Sequence, residues 1–397
     1  MLGLGFHYIK NLGAQMCAFL ILLKKDFFMI TPKYKIPITK PDLGEEEILA
    51  VTNVIRSGWI MQGNCVNEFE RAFAEYVGAK AAIAVSSGTA ALHLALLAAG
   101  VGQGKSVICP SYSFIATANV IRLCGAEPIF VDIDPDTYNI DPKLLANVCQ
   151  PNTCAILAVH QVGLPANLEE INLFASKNNL IVVEDAACAI GSEYNQEKIG
   201  KPHSLAAGFS FHPRKLLTTG DGGLVTTNDL DFASQVRRLR QHGVDNPKEG
   251  YQIVGFNYRL TDLQAAIGLE QIKKLPNFLS HRRNQAARYN QAFSSHQLLS
   301  PPKEFPNMLS NFQSYQLRLL PNDIITRDDL LKGLIEAGIS AQGGIQPIHK
   351  QPVYKEFNQL SLVETEKAAQ QVIMLPLYYS LSENEQDYII ETVLKFL

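Results

Sequence analysis

Three short stretches carry residues whose types and spacing suit chemistry. In "GFSFHPRKLLTTGDGG" (208–223), Lys215 follows an apolar run and precedes paired threonines and glycines. Such a lysine is either a surface charge ahead of a flexible turn or a nucleophile. A nucleophilic lysine needs a lowered pKa, from partial burial or a nearby cation, and His212 and Arg214 are sequence neighbours of that kind. In "IVVEDAACAIGS" (181–192), Asp185 closes another apolar run. A carboxylate at a buried strand end is costly unless something pairs with it, and strand ends are where parallel sheets bind ligands. Asp185 either caps the next helix or holds a protonated ring nitrogen. In "AVSSGTAALHLALLAAG" (84–100), an apolar run meets a Ser-Ser-Gly-Thr turn and an Ala/Leu-rich helical segment. Free N–H groups and partial positive charge at a helix start suit a phosphate. Gly88 permits close backbone approach, Ser87 and Thr89 add hydroxyls, and Ser210 could join them. Taken alone, the turn reads equally well as an ordinary capped helix. It is not a P-loop, because no Gly-Lys-Ser/Thr follows.

The elements that must position these residues alternate along the chain. "GEEEILAVTNVIRSG" and "VNEFERAFAEYVG" have helical spacing and end on Gly58 and Gly78. Short apolar runs then alternate with helical segments: "AAIAV", "SVICP", "PIFVDI", "CAILAVH", "LIVVEDA", "GFSF" and "GGLVTT". Continuous apolar strands separated by helices predict a mostly parallel sheet covered on both faces, an α/β fold. The pattern changes near residue 275. A helix "NQAARYNQAF", a strand "SYQLRLL", a helix after Thr326 and a last helix with a Ser382/Glu385 capping box predict a small α+β domain. The expected organisation is a large domain over 36–275 and a small one over 276–397, preceded by an extension over 1–35.

The chain has 397 residues, 47% hydrophobic and 18% charged, with a net charge of −3. That suits an enzyme-sized globular protein and argues against a nucleic-acid binder, which needs a concentrated basic patch. Seven scattered cysteines without a CxxC pair suggest neither a disulfide framework nor a metal site, and fit a reducing cytoplasm. The apolar run "MCAFLILL" (16–23) is too short to span a bilayer, which takes about 20 residues. Lys24, Lys25 and Asp26 follow it without a small-residue cleavage site, so neither membrane contact nor a signal peptide is expected. Met29 reads as a natural beginning.

The phosphate-suited turn, the strand-end Asp and the lysine occur in the order found in pyridoxal-phosphate (PLP) enzymes of the aspartate-aminotransferase fold. "GWIMQGNCVNEFERAFAEYVGAK", "SSGTAALHLAL", "EDAACAIGSEY", "SFHPRKLLTTGDGG", "NYRLTDLQAAIG" and "LPLYYSLSENEQDYI" together resemble the DegT/DnrJ/EryC1/StrS family of sugar aminotransferases, from about residue 36 to the C-terminus. The resemblance implies fold type I, with a large mostly parallel sheet domain and a small α+β domain. It also implies PLP as cofactor and transfer of an amino group, from glutamate, to a nucleotide-linked ketosugar in glycan synthesis. Lys215 matches the family lysine that forms the Schiff base and shuttles a proton. Asp185 matches the carboxylate that keeps the pyridinium nitrogen protonated, which makes the ring an electron sink. Gly88, Thr89 and Ser210 match phosphate contacts, and Phe114 matches the aromatic that stacks on the ring. Asn257 matches a residue reaching the phosphate from a neighbouring subunit, which implies a homodimer with shared sites.

The chain departs from the family pattern in places. Cys188 stands where many relatives have Gln or His against the cofactor's phenolic oxygen, and a thiol is a weaker donor. Asp221 stands where Glu is commoner. "AQGGIQPIH" (341–349) lacks arginines that some relatives carry, which leaves open what meets the donor's carboxylate. Trp59, His160 and His349 are candidate substrate residues, each with a packing role as the competing reading. Two other functions compete with the aminotransferase. A PLP- or PMP-dependent sugar dehydratase of the same family would replace the lysine with histidine, and Lys215 argues against it. A non-catalytic regulatory protein on the same scaffold would not need the full set of Lys215, Asp185 and Thr89.

Overall fold

In the computed structural model, the alternation of apolar runs and helices becomes a seven-stranded sheet with helices on both faces. The structure describes residues 35–244, 248 and 250–397. The expected extension over 1–35, with its apolar run at 16–23, lies outside the described residues apart from Lys35.

Helices α1 (Glu45–Ser57) and α2 (Asn64–Val77) precede β1 (Ala81–Val85). Then come α3 (Gly88–Ala98), β2 (Ser106–Pro110), α4 (Ala116–Leu123), β3 (Glu127–Val131), the short α5 (Leu145–Val148), β4 (Thr153–Val159), α6 (Leu168–Lys177) and β5 (Ile181–Asp185). A short hairpin, β6 (Glu193–Tyr194) with β7 (Glu197–Lys198), leads to β8 (Ala206–Ser210), β9 (Gly223–Thr227) and α7 (Leu230–Arg240). The long α8 (Asp262–Phe293) is followed by β10 (Leu299–Ser300), β11 (Met308–Leu309), β12 (Tyr315–Leu319) and α9 (Arg327–Glu336). Next are β13 (Gln342–Gly343), α10 (Val363–Gln371), β14 (Val372–Leu375) and α11 (Glu383–Lys395).

The large sheet has the order β1-β9-β8-β5-β4-β2-β3. All its neighbours are parallel except β9, which runs antiparallel to both β1 and β8. Side chains alternate between its two faces, and helices on both faces bury most of them. On β1, Ala81, Ile83 and Val85 pack with α3 and α7, while Ala82 and Ala84 pack with Phe69 and Phe73 of α2. The C-terminal ends of β1, β2, β4, β5 and β8 therefore lie along one edge, where open α/β sheets bind ligands.

A four-stranded antiparallel sheet, β10-β12-β14-β13, packs with α9 and α11 over Leu317, Leu334, Ile373 and Ile389. Helix α8 joins the two cores. Leu275, Phe278 and Leu279 sit in the first, and Ala286, Tyr289 and Phe293 in the second. The boundary expected at 275/276 thus falls inside a 32-residue helix, beside Pro276. The caps follow the sequence: Gly58 and Gly78 take the left-handed conformation (φ 74° and 80°), and the Ser382/Glu385 capping box forms. No helix among the described residues is long and apolar enough to cross a membrane.

Helix α2 lacks a side-chain cap of its own, because Gly63 is its N-cap. Asp262, at the start of α8 and nearly buried, supplies one: Oδ1 accepts from the N–H groups of Gly63 at 2.8 Å and Val66 at 3.0 Å. Asp262→Ala leaves the buried Val66 N–H and the part-buried Gly63 N–H without this acceptor, an expected loss of about 1–3 kcal/mol. Urea unfolding of Asp262→Ala beside Asp262→Asn, which keeps one acceptor and is expected to lose less, checks this.

Candidate active site

Gly88, Phe114, His160, Asp185 and Ser210 lie at or just after the C-terminal ends of parallel strands, and Lys215 on the loop that follows Ser210. At the end of β1, Ser87 caps α3, its hydroxyl accepting from the Ala90 N–H at 3.1 Å. The first-turn N–H groups of a helix have no partner within it, so Gly88 and Thr89 present theirs to the sheet edge. Gly88 is buried against Ser210 at the end of β8; a Cβ built on it would stand 2.6 Å from the Ser210 Cβ. The close approach of the two chain segments is possible only because Gly88 has no side chain. Gly223 fills the same role at the start of β9, where it pairs with Val85 and Ser210. Thr89 is exposed, and Ser210 is half-buried. Together they form a small-residue cradle at a helix N-terminus, a fit for a phosphate.

Asp185 ends β5 and is nearly buried. Its Oδ2 accepts from the Thr117 hydroxyl at 3.1 Å, and its Oδ1 from the Ala187 N–H at 3.1 Å. The Ser113 and Thr117 hydroxyls are 2.7 Å apart, so with Thr117 donating to Asp185, Ser113 donates to Thr117. Burial pushes the Asp185 carboxyl above the ordinary carboxylate range, against the opposing effects of the Ala187 N–H, Lys215, Thr117 and His160. A buried carboxylate in this state favours a cation beside it, and a protonated ring nitrogen is one.

Lys215 is half-buried, and its Nζ donates to the Cys188 Sγ at 3.1 Å. Cys188 is thus beside the lysine, a neighbour that the sequence reading had not paired with it. The cation that Arg214 offered in sequence is turned elsewhere, its guanidinium donating to Gln342 Oε1 at 2.6 Å. His212 is exposed and accepts the Arg214 N–H on Nδ1 at 3.2 Å. Phe114, after β2, is 73% exposed, an uncovered aromatic face at the sheet edge that also carries Asp185. Asn257 is exposed, on a segment tied to the end of β1 through Ser86 N–H to Tyr258 C=O at 2.8 Å.

Both candidate histidines are buried and hydrogen-bonded, as the packing reading that competed with substrate contact supposes. His160 is fully buried; Nδ1 accepts from the Ala166 N–H at 3.0 Å, so Nε2 carries the proton donated to Glu184 at 3.0 Å. His349 is also fully buried, between the Ser111 hydroxyl at 2.6 Å and Glu366 at 3.2 Å. Burial pushes the His349 imidazole below its ordinary value, against the pull of Glu366. Neither ring has a free nitrogen. Trp59 is 56% exposed and lines a groove of about 580 Å³ with Asn53, Cys65 and Asp262. The 342–347 segment borders a polar groove of about 660 Å³ that also holds Arg327, Lys350 and Glu366.

The sequence reading passed over Ser113, Thr117, Asn311 and Gln313. The i, i+4 spacing of Ser113 and Thr117 beside Phe114 was a usable signal for the first two. Nothing local in "SNFQSY" marked the other two.

Comparison with known proteins agrees with this geometry. The sequence profile of the DegT/DnrJ/EryC1/StrS aminotransferase family matches residues 41–394. The chain belongs to this family. It is 38% identical over 359 residues to the GDP-perosamine synthase of Caulobacter vibrioides, covering 90% of this chain and 96% of that protein. Among solved structures it resembles PseC of Helicobacter pylori, an aminotransferase involved in the biosynthesis of pseudoaminic acid. That match has a TM-score of 0.86 at 30% identity, over 91% of this chain and 98% of that one. It also resembles Spr1654 of Streptococcus pneumoniae in its PLP form, with a TM-score of 0.85 at 28% identity, over 92% and 100% of the two chains. The chain is a PLP-dependent sugar aminotransferase of fold type I, and the cradle, Asp185 and Lys215 are chemically suited to that cofactor's phosphate, ring nitrogen and aldehyde.

The Asp185 burial predicts a trade between stability and activity. Its folded pKa is raised, so between the ordinary value of about 4 and the folded value the native state holds a proton that the unfolded chain has lost. Stability from this group therefore falls as pH rises through that window, and above it the ionised carboxylate is a cost. Asp185→Asn is expected to raise the thermal midpoint of the cofactor-free protein at neutral pH while lowering turnover at least about 100-fold. Calorimetry of the cofactor-free variant and steady-state rates of the loaded one check both halves.

Proposed function

We propose that this aminotransferase moves an amino group from glutamate to the keto group of a nucleotide-linked sugar, in the cytoplasm, for glycan synthesis. The observation that carries the reading is the convergence of Lys215, Asp185 and the Gly88–Ser210 cradle on one sheet edge, in a chain 38% identical to a GDP-perosamine synthase. That relative is named for a GDP-linked sugar, and PseC for a role in making pseudoaminic acid. PLP, when bound, supplies an electron sink for the amino-bearing carbon.

This chain's own residues have distinct tasks in that reading. The N–H groups of Gly88 and Thr89, with the Ser210 hydroxyl, hold the phosphate. Asp185, oriented by Thr117 and Ala187, keeps a proton on the ring nitrogen. Phe114 covers one ring face. Lys215 holds the cofactor between turnovers and, once released, moves a proton at the reacting carbon; Cys188 is its nearest polar partner at 3.1 Å. Arg327, Lys350 and the 342–347 edge of the polar groove offer charge and amides to the sugar nucleotide.

The functional unit in this reading is a homodimer. Ile48, Leu49 and Ile55 of α1 and Trp59, Ile60 and Met61 after it are each more than half exposed. A run of large apolar side chains of this kind favours an association surface, and the second copy is its proposed occupant. Asn257 then serves the partner's phosphate.

Two measurements test these points. Incubating the enzyme with glutamate and a panel of nucleotide-linked ketosugars is expected to give one aminated product by mass spectrometry; amination of free ketosugars alone would overturn the nucleotide requirement. Mixing inactive Lys215→Ala with a cofactor-binding-defective Asn257→Ala protein is expected to restore activity, because half of the sites in hybrid dimers have both residues intact. No recovery despite demonstrated subunit exchange would place Asn257 in its own chain's site or in neither.

A further inference from the structure

Lys215 stands on a loop between β8 and β9, and loop residues need outside support to hold a reacting atom in place. The support comes from the turn before β12. Gln313, only 7% exposed, donates from Nε2 to the Arg214 carbonyl at 2.6 Å and accepts the Leu216 N–H on Oε1 at 3.0 Å. One carboxamide therefore grips the main chain on both sides of the lysine.

The same turn grips the lysine's partner. Asn311, fully buried, donates from Nδ2 to the carbonyls of Cys188 at 2.9 Å and Ile190 at 2.8 Å. Its Oδ1 accepts the Gln313 N–H at 2.8 Å. The turn is itself held. Arg282 of α8 donates to the carbonyls of Phe312 at 3.1 Å and Gln313 at 3.0 Å. Phe312 adopts φ 49°, a conformation that a bulky residue keeps only when its surroundings enforce it. Lys215 and Cys188 meet at 3.1 Å because one rigid turn fixes both of their chain segments.

We propose that Gln313 is a positioning residue for the reaction, setting where the Lys215 amine stands through the two main-chain groups that flank it. The inference rests on the reading of Lys215 as the cofactor-holding lysine. A bond that served only folding would contribute stability and leave the lysine's behaviour unchanged; a positioning bond changes the orientation and reach of that one amine.

The test uses the PLP-loaded enzyme and two variants, Gln313→Glu and Gln313→Met. Glu keeps the shape and an acceptor for Leu216 but has no donor for the Arg214 carbonyl. Met keeps the length and removes both bonds without adding charge. Three readouts are taken: the residue labelled after borohydride reduction, the pH midpoint of the lysine–cofactor absorbance band, and kcat and KM with the amino donor. The label is expected to stay on Lys215 in both variants. The pH midpoint is expected to shift in both, and a shift shared with the uncharged Met variant reports geometry rather than added charge. Turnover is expected to fall roughly 10- to 100-fold, the scale of an ångström-level misplacement, with KM within about twofold. In the cofactor-free protein, the rate at which an amine reagent modifies Lys215 is expected to change likewise. Variants that only melt earlier, with the wild-type pH midpoint, amine reactivity and kcat, would overturn the proposal. Should Gln313→Met not fold, Gln313→Glu with wild-type kcat and amine reactivity would overturn it alone. A borohydride label on another residue would instead overturn the Lys215 reading on which it stands.

Discussion

A carboxylate buried at the end of a parallel strand is the constraint around which this site is built. Asp185 is held out of water by the strands beside β5 and by α4, whose Thr117 reaches its Oδ2. Burial penalises its charge, and two hydrogen bonds and a nearby lysine only partly offset that penalty. The folded chain alone therefore keeps a carboxylate in an unfavourable state. In the proposed reading a cationic ring nitrogen beside it relieves that cost, which would then serve binding and electronic control of the cofactor.

Strand direction explains why the other groups collect near it. Parallel pairing brings the C-terminal ends of β1, β2, β4, β5 and β8 to one edge, and each contributes a residue or turn there: Gly88, Phe114, His160, Asp185 and Ser210. Strand β9, inserted antiparallel between β1 and β8, returns the chain to the same edge at Gly223. The missing side chains of Gly88 and Gly223 allow three segments to approach closely at this edge, a small-residue turn suited to a phosphate.

The C-terminal half is also part of the site. Helix α8 is continuous through both hydrophobic cores, and its Arg282 fixes the turn from which Asn311 and Gln313 reach Cys188 and the flanks of Lys215. A sequence boundary at 275 separates patterns of hydrophobicity, and the hydrogen bonds that support the lysine cross it. The position of the lysine is consequently a property of the whole unit rather than of the loop that carries it.

The sequence by itself determined the local features and the chemistry on offer. Apolar runs alternating with helices specified the α/β sheet, because burial on both faces leaves continuous hydrophobic strands. Gly58, Gly78, Thr326 and Ser382 marked helix ends because caps are satisfied within a few residues. Lys215, Asp185 and the Ser-Ser-Gly-Thr turn were recognisable from residue type and order, and the family resemblance joined them. Tertiary structure alone decided which polar atoms meet. His160 and His349 are taken up by Glu184, Ser111 and Glu366, and Arg214 turns to Gln342. The cap of α2 comes from Asp262, 196 residues beyond Val66, and the clamp on Lys215 from a glutamine 97 residues beyond Leu216. Capping and periodicity act within a turn or two and so leave a local signature. A hydrogen bond between distant segments depends on strand order and packing, and a buried amide that makes one looks, in sequence, like any other glutamine.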